Sequence, residues 1–265
     1  MILSGLDSTI KAFELKAIQL GTFQTQSPSI QNISESIPPS PTASAMHFYI
    51  IGGSGRTGQM VIENALQRGH TVTALVRNPD SLTTKNGLSV AKGTPLSKQD
   101  IEVSFLTPKR PDAVIVTLNA ARVSDSPFAA PLAPPRMMAD SHANVAAVMR
   151  QHGVSKIVTM SAFGVADSSP NLLCLSRAVL RGTNMKHQFE DHDIVDAEMK
   201  ERGLDHVLVR PAMLTEGENA PVRTFGDDGR GAPWFAKITR ESVAHFLVDV
   251  CETDAWDRRT PVIAN

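Results

Sequence analysis

The sequence has a single tyrosine, Tyr49, among 265 residues. Tyr49 stands inside the short apolar run His47–Ile51, just ahead of a glycine-rich segment. A residue buried in that run cannot protonate a substrate, so a tyrosine general acid is excluded by counting. Cysteine is almost as scarce. Cys174 and Cys251 stand alone, which excludes a disulfide framework and a cysteine-based zinc site. No metal site is expected, and a reducing, cytoplasmic setting is. No apolar run approaches the ~20 residues a membrane span needs, so no membrane partner is expected. Excess charge is also lacking. With 26 basic and 27 acidic residues the formal net charge is −1, which offers no electrostatic footprint for nucleic acid.

What is present is a hydrophobic fraction of 42%, enough for a core. Residues 1–45 stand apart. From Gln24 to Ala45 the chain is rich in Ser, Thr, Gln and Pro, and such a segment cannot bury enough apolar surface to fold alone. It is expected to be a disordered extension. The stretch Ile10–Leu20 could form a short amphipathic helix, but it has no Arg, and Asp7 and Glu14 argue against a transit peptide. A start at Met46 is the alternative.

From 46 to 265 strand and helix signals alternate. Expected strands are His47–Ile51, Thr71–Val76, Leu88–Ala91, Ala113–Leu118, Lys156–Met160, His206–Arg210 and one near Val262. Expected helices are Thr57–Arg68, closed by Gly69; one capped by Ser97 and carrying Ile101 and Phe105; one marked by Met138, Val145 and Met149 and stopped by Gly153; one along Phe189, Val195 and Met199, ended near Gly203; and one from Glu241 to Cys251. The alternation predicts an α/β fold: a single-domain, Rossmann-type, doubly wound parallel sheet. Segments 120–136 and 213–237 are long, irregular connections after strand ends, where such sheets place ligands, and are expected to be substrate loops.

The loop Gly52-Gly53-Ser54-Gly55-Arg56-Thr57-Gly58 joins the first strand to the first helix. In that context glycines permit a tight turn and close approach of backbone to a pyrophosphate, and the helix N-terminus turns its free N–H groups toward the anion. The end of the second strand decides the cofactor. An acidic residue there would bond a ribose 2′-hydroxyl; this chain has Arg77 and Asn78. Arg77 can pair with a 2′-phosphate bidentately, Arg56 adds a second cation, and NADP(H) is favoured over NAD(H).

The glycine loop, Thr73–Arg77, Asp112–Val116, Gly153–Phe163, the Asp191-His192 helix running to Gly203-Leu204, Val209-Arg210-Pro211 and Asp227–Gly231 together resemble the atypical short-chain dehydrogenase/reductase superfamily. The likeness is to its NmrA-like, NAD(P)H-binding branch, in the direction of the biliverdin-IXβ reductase/flavin reductase group. The resemblance implies that Gly52, Gly55 and Gly58 line the pyrophosphate and that Arg77 meets the 2′-phosphate. It further implies Asn119 and Ala120 near the riboses, Ser161, Ala162 and Phe163 beside the nicotinamide, and Pro211, Ala212 and Met213 flanking its carboxamide. The chain departs from the pattern in two places. Gly93 is followed by Thr94-Pro95 where relatives often carry an Asp, and Met213 stands where the flavin-reductase relatives carry a histidine.

Ordinary members of the superfamily protonate an alkoxide with the tyrosine of a Tyr-x-x-x-Lys motif, which this chain lacks. Two readings follow. In one, an NADP(H)-dependent oxidoreductase reduces a small conjugated or carbonyl-bearing molecule (a quinone, flavin or enone) whose charge is delocalised, with Ser161 and Lys186 as the catalytic candidates and His187 nearby. In the other, an NmrA-like sensor binds NADP(H) without turnover. His192 is expected to be a packed, hydrogen-bonded core residue, His187 and Glu190 a surface pair, Met137, Met138 and Met149 core filling, and Asp227 and Asp228 parts of a turn. The expected partner is a small-molecule substrate; the protein is expected to be a monomer or homodimer.

Overall fold

A computed structural model describes residues 44–124 and 126–265. The chain divides into two units, residues 1–35 and 36–265, and all described residues belong to the second. The expected N-terminal extension lies outside them except for its last two residues.

The first strand, β1 (His47–Ile51), is buried at every position. Its alternate side chains feed two different cores: Phe48 and Ile50 one, Tyr49 and Ile51 the other. A strand covered on both faces therefore reads as one apolar run rather than an alternating one. The same holds for β4 (Ala113–Val116), while β2 (Thr71–Val76) and β5 (Lys156–Met160) are buried at all but one position and interrupt their apolar residues with Thr or Lys. With β3 (Leu88–Lys92), β6 (Asp205–Pro211), β8 (Arg223–Thr224) and β10 (Val262–Ala264) they form an eight-stranded sheet of order β3-β2-β1-β4-β5-β6-β10-β8. Every pairing is parallel except β10 with β8. The order reverses between β1 and β4, the crevice at which doubly wound sheets bind ligands.

Helices α1 (Arg56–Gln67) and α6 (Arg240–Asp249) cover one face; α2 (Lys98–Phe105), α3 (Met137–Gln151) and α5 (Lys186–Glu201) cover the other. Local chemistry sets their ends. Ser97 Oγ accepts the Asp100 N–H at 3.1 Å and donates to its carboxylate at 2.9 Å, which opens α2, as the sequence suggested. Thr239 Oγ1 accepts the Ser242 N–H at 3.1 Å and opens α6. Gly153, at φ +66°, closes α3 in a conformation costly for any side chain.

Three things differ from the sequence expectation. A helix α4 (Cys174–Gly182), none of whose residues is buried, precedes α5. Segment 213–237 is not wholly irregular: β7 (Met213–Thr215) pairs in parallel with β9 (Lys237–Thr239) as a separate two-stranded sheet, and β8 extends the main one. His192 is buried and packs edge-on to Phe189 as a core residue, but its Nδ1 has no hydrogen-bond partner.

Candidate dinucleotide site

The loop after β1 is held by its glycines for two different reasons. Gly52 lies at φ +88°, and a Cβ there would stand 2.8 Å from the carbonyl carbon and oxygen of Thr117, just past β4. A Cβ on Gly53 would meet Ile62 at 2.8 Å, and one on Gly58 would lie 2.2 Å from the Gly52 carbonyl oxygen. Gly52 and Gly58 are glycines because β1, β4 and α1 press together backbone to backbone; at 53 only the tip of Ile62 would have to move. Gly55 is different. It has ordinary extended angles (φ −76°, ψ 164°), and a Cβ there would meet only the Gly52 oxygen at 3.3 Å. Packing demands glycine less strongly at 55 than at 52 or 58: one backbone oxygen would have to give by a few tenths of an ångström. Gly55 is also the N-cap of α1, with no side-chain cap and no acidic residue in the first turn. No side chain of the first turn offsets the helix dipole there.

The neighbouring strand ends bring most of the expected residues to the same edge. Registers Ile51↔Val116, Val116↔Thr159 and Thr159↔Leu208 align β1, β4, β5 and β6, so Gly52, Asn119, Ser161 and Ala212 follow adjacent strands. Asn119 is exposed and Ala120 half-buried. The Ser161 N–H donates to the Val209 carbonyl at 2.7 Å and the Phe163 N–H to that of Pro211 at 2.9 Å. These bonds extend the β5–β6 pairing beyond the strand and fix the Ser161-Ala162-Phe163 turn. Gly229 packs against the Phe163 ring so closely that a Cβ would lie 2.5 Å away. Pro211 and Ala212 are buried; Met213 is 57% exposed.

Arg77 is exposed at the end of β2. Asn78 has a local task, accepting the Asp80 N–H at 3.2 Å to cap the 3-10 turn Pro79–Ser81. Arg56 extends toward the carboxylate of Glu216 at 3.5 Å, which also takes a hydrogen bond from Arg240 at 2.5 Å. Ser54 is exposed and Thr57 buried. Lys186 is exposed at the first turn of α5, and His187 pairs with Glu190 at 3.6 Å as expected. Asp227 accepts from the Thr260 N–H and Arg259, holding its turn. Met138 and Met149 are core residues.

Tyr49 is wholly buried, its hydroxyl bonded to Ser104 at 2.7 Å, and burial pushes the phenol's pKa up. It faces α2, away from the crevice.

Sequence reasoning missed the polar groups that pin α5 under this edge. Asp191 accepts the N–H groups of Met138 and Ala139 at 2.8 and 3.0 Å, capping α3 from the neighbouring helix; burial raises its carboxyl pKa, against those bonds. Arg210, fully buried, binds Asp196 at 2.5 Å, Asp167 at 2.6 Å and the Asp227 carbonyl at 2.6 Å. His142 bonds the Met138 carbonyl through Nδ1 at 2.7 Å and Thr159 through Nε2 at 3.0 Å. Burial pushes the pKa values of His142 and His192 down to about 4, so both rings are neutral at physiological pH. Among the described residues no group of three or more His, Cys, Asp or Glu could hold a metal ion, and no helix is long and apolar enough to cross a membrane.

A parallel doubly wound sheet with an uncapped, glycine-led helix at its switch point defines a dinucleotide-binding protein. Residues 52–254 match the model of the NAD(P)H-binding family, and the chain belongs to that family. Its fold recurs in solved structures of low sequence identity. ChuY, an anaerobillin reductase from Escherichia coli, is 16% identical with a TM-score of 0.64, over 82% of this chain and 96% of that one. A short-chain dehydrogenase/reductase from Veillonella parvula in complex with NADP is 12% identical with a TM-score of 0.65, over 84% and 95%. The oxidoreductase ylbE from Lactococcus lactis is 16% identical with a TM-score of 0.63, over 83% and 91%.

Proposed function

We propose that this chain is an NADP(H)-dependent oxidoreductase acting on a small conjugated or carbonyl-bearing acceptor of the quinone, flavin or enone kind. The observation that carries the reading is Gly55, a glycine at ordinary extended angles with one tight backbone contact, at the uncapped start of α1 in a member of an NAD(P)H-binding family. On this reading the 52–58 loop holds the pyrophosphate and Arg77 the 2′-phosphate, with Asn119 and Ala120 beside the riboses. Ala162, Phe163, Pro211, Ala212 and Met213 enclose the nicotinamide. The reduced nicotinamide supplies a hydride. The chain orients the reactants and keeps water from the nicotinamide side. The Ser161 hydroxyl donates one hydrogen bond to the acceptor or the carboxamide, and Lys186 at the α5 N-terminus offers positive charge nearby. With Tyr49 committed to Ser104, the fitting acceptors are those that spread the new charge and take their proton from water.

The test mixes purified protein and NADPH with a panel of quinones, flavins and enones, following loss of reduced-nicotinamide absorbance. Turnover of at least one acceptor is expected. Micromolar NADP binding with no turnover of any acceptor would establish an NADP(H)-responsive regulator instead. Arg77→Asp is expected to cut the NADPH-over-NADH preference at least about tenfold, the loss of one bidentate charged contact; an unchanged preference refutes the role of Arg77.

A further inference from the structure

A surface helix ordinarily turns its apolar residues to the core and its polar ones to water. α4 does not. Cys174, Leu175, Ala178, Val179 and Gly182 share one face at helical spacing, and all five are exposed. The polar contacts of the helix run the other way. Arg181 reaches back to Asp193 of α5 at 2.7 Å, and Ser176 is half-buried. Leu172 and Leu180 close against Gly164, where a Cβ would lie 3.0 and 3.3 Å from them. The outward face of α4 is therefore left without an apolar neighbour in this unit.

The segments on either side of α4 repeat the pattern. Asn184, just past the helix, donates to the Phe128 carbonyl at 2.9 Å, and Asn171, just before it, donates to the Asp228 carbonyl at 3.0 Å. α4 is thus tied between the 120–136 loop and the turn that leads to Trp234 and Phe235. Phe128 is 76% and Trp234 74% exposed, with Leu132 and Phe235 close behind. All three segments are connections that leave the C-terminal edge of the sheet, so these side chains rim the mouth of the crevice. Single exposed apolar residues need no explanation, but a group on linked segments does. The rim is also basic. Stretches 126–136, 171–188 and 229–237 hold six basic residues and no acidic one, in a chain of net charge −1. Arg136 and Arg181 turn to Glu198 and Asp193. Arg177, Lys186, Arg230 and Lys237 stand exposed among the apolar side chains.

We propose that this rim docks on a membrane surface bearing anionic headgroups, with α4, Phe128, Trp234 and Phe235 entering the interface and the four cations meeting the headgroups. Aromatic side chains and a helix with an apolar outward face, flanked by Lys and Arg, are the chemistry of such a surface. The lack of a long apolar run excludes crossing a bilayer, not lying on one. A second copy of the chain fits less well. An isologous contact would set these cations against themselves, and like charges oppose that. One small molecule is too short to cover a helix and two loops. With the rim seated, the crevice opens toward the lipid, and a lipid-dissolved acceptor reaches the nicotinamide side directly. That consequence rests on the oxidoreductase reading above; the docking itself does not.

The experiment floats the full chain with vesicles of phosphatidylcholine alone or with about 30% phosphatidylserine. Binding to the anionic vesicles is expected to exceed binding to the neutral ones at least about fivefold, and to fall as salt rises from about 0.1 to about 0.5 M. In a Trp256→Phe background the emission of Trp234 is expected to move to the blue on adding anionic vesicles. Two double substitutions, Leu175→Ser with Val179→Ser and Trp234→Ser with Phe235→Ser, are each expected to weaken binding at least about fivefold. Both act at exposed positions, so thermal denaturation should find the Tm within about 2 °C of the wild type. No binding to anionic vesicles, equal binding to both kinds, or binding that survives both double substitutions overturns the proposal. So does self-association that the same substitutions abolish while vesicle binding is absent. NADPH turnover has no part in these readings, so failure of the oxidoreductase reading leaves them unchanged.

Discussion

Gly55→Ala and Gly58→Ala separate a ligand's demand for glycine from the fold's. At 58 the new methyl would begin 2.2 Å from the Gly52 carbonyl oxygen and 2.9 Å from the Gly53 Cα. Both are backbone atoms, so relief means moving α1 away from β1. Overpacking of this kind costs about 1–3 kcal/mol or more, against the ~1 kcal/mol that alanine ordinarily gains over glycine in a helix. A net loss of about 2 kcal/mol lowers the Tm of a domain this size by roughly 4–8 °C. At 55 the angles suit alanine and the nearest atom is the Gly52 oxygen at 3.3 Å. The tight contact and the gain from a stiffer unfolded chain roughly cancel, leaving stability within ~1 kcal/mol. On the proposed binding mode the methyl would occupy the space a phosphate needs, so the Kd for NADPH should rise by about 100-fold, or ~3 kcal/mol. Thermal denaturation without cofactor and fluorescence titration with NADPH read the two quantities separately. Gly55→Ala binding NADPH like the wild type, or losing as much Tm as Gly58→Ala, refutes the reasoning.

Arg210→Met strips Asp196 of its principal partner, leaving a buried carboxylate with only Lys200 at 2.6 Å. Urea denaturation should show a loss of about 3–5 kcal/mol, and adding Asp196→Leu should recover part of it. Stability should also fall on mild acidification. The folded-state pKa values of His142 and His192 lie at about 4 against an ordinary 6.5, so the unfolded chain takes up protons first. The stabilisation is complete above pH ~6.5 and lost as pH falls toward ~4, by at most roughly 3 kcal/mol per histidine. The raised carboxyl of Asp191 offsets a little of this at the acidic end. In a denaturation series across that window, His192→Phe should remove one histidine's share of the slope; an unaltered slope would show that His192 does not stay neutral in the fold. Cys174 is exposed and Cys251 buried with its thiol pKa pushed up, so a thiol reagent should label one cysteine in the native protein and both in denaturant.

The sheet was legible because burial on both faces leaves unbroken apolar runs such as Phe48–Ile51 and Ala113–Val116, and because each long helix ends on a glycine. The cofactor loop was legible for the same local reason, a strand, a glycine turn and a helix in immediate succession. What escaped had no periodic signature. α4 buries no residue, and β7, β8 and β9 are two or three residues long. Lys186 looked useful as a charge near the crevice, yet it is exposed, while Gln188 and His192 on the same helix turn unpartnered atoms inward.

The two faces of the sheet divide the work unequally, and this bears on where specificity can reside. The α1–α6 side packs as an apolar cluster from Phe48 to Ala264, and what it brings to the crevice is mostly backbone, the glycine-rich 52–58 loop. The α3–α5 side buries Asp191, His142, His192, Asp196 and Arg210. Burying polar groups costs stability unless each is satisfied. Most of these are satisfied by bonds that tie α5 to α3 through Asp191 and to β6 through Asp196 and Arg210, and α3 to β5 through His142 and Thr159. A helix tied at these points holds its side chains at fixed spacing, which loops such as 120–136 cannot do by themselves. Discrimination among acceptors should therefore follow substitutions on the inward stripe of α5 more closely than substitutions at the exposed Phe128, Trp234 or Phe235, whose exposed rings offer apolar contact without direction.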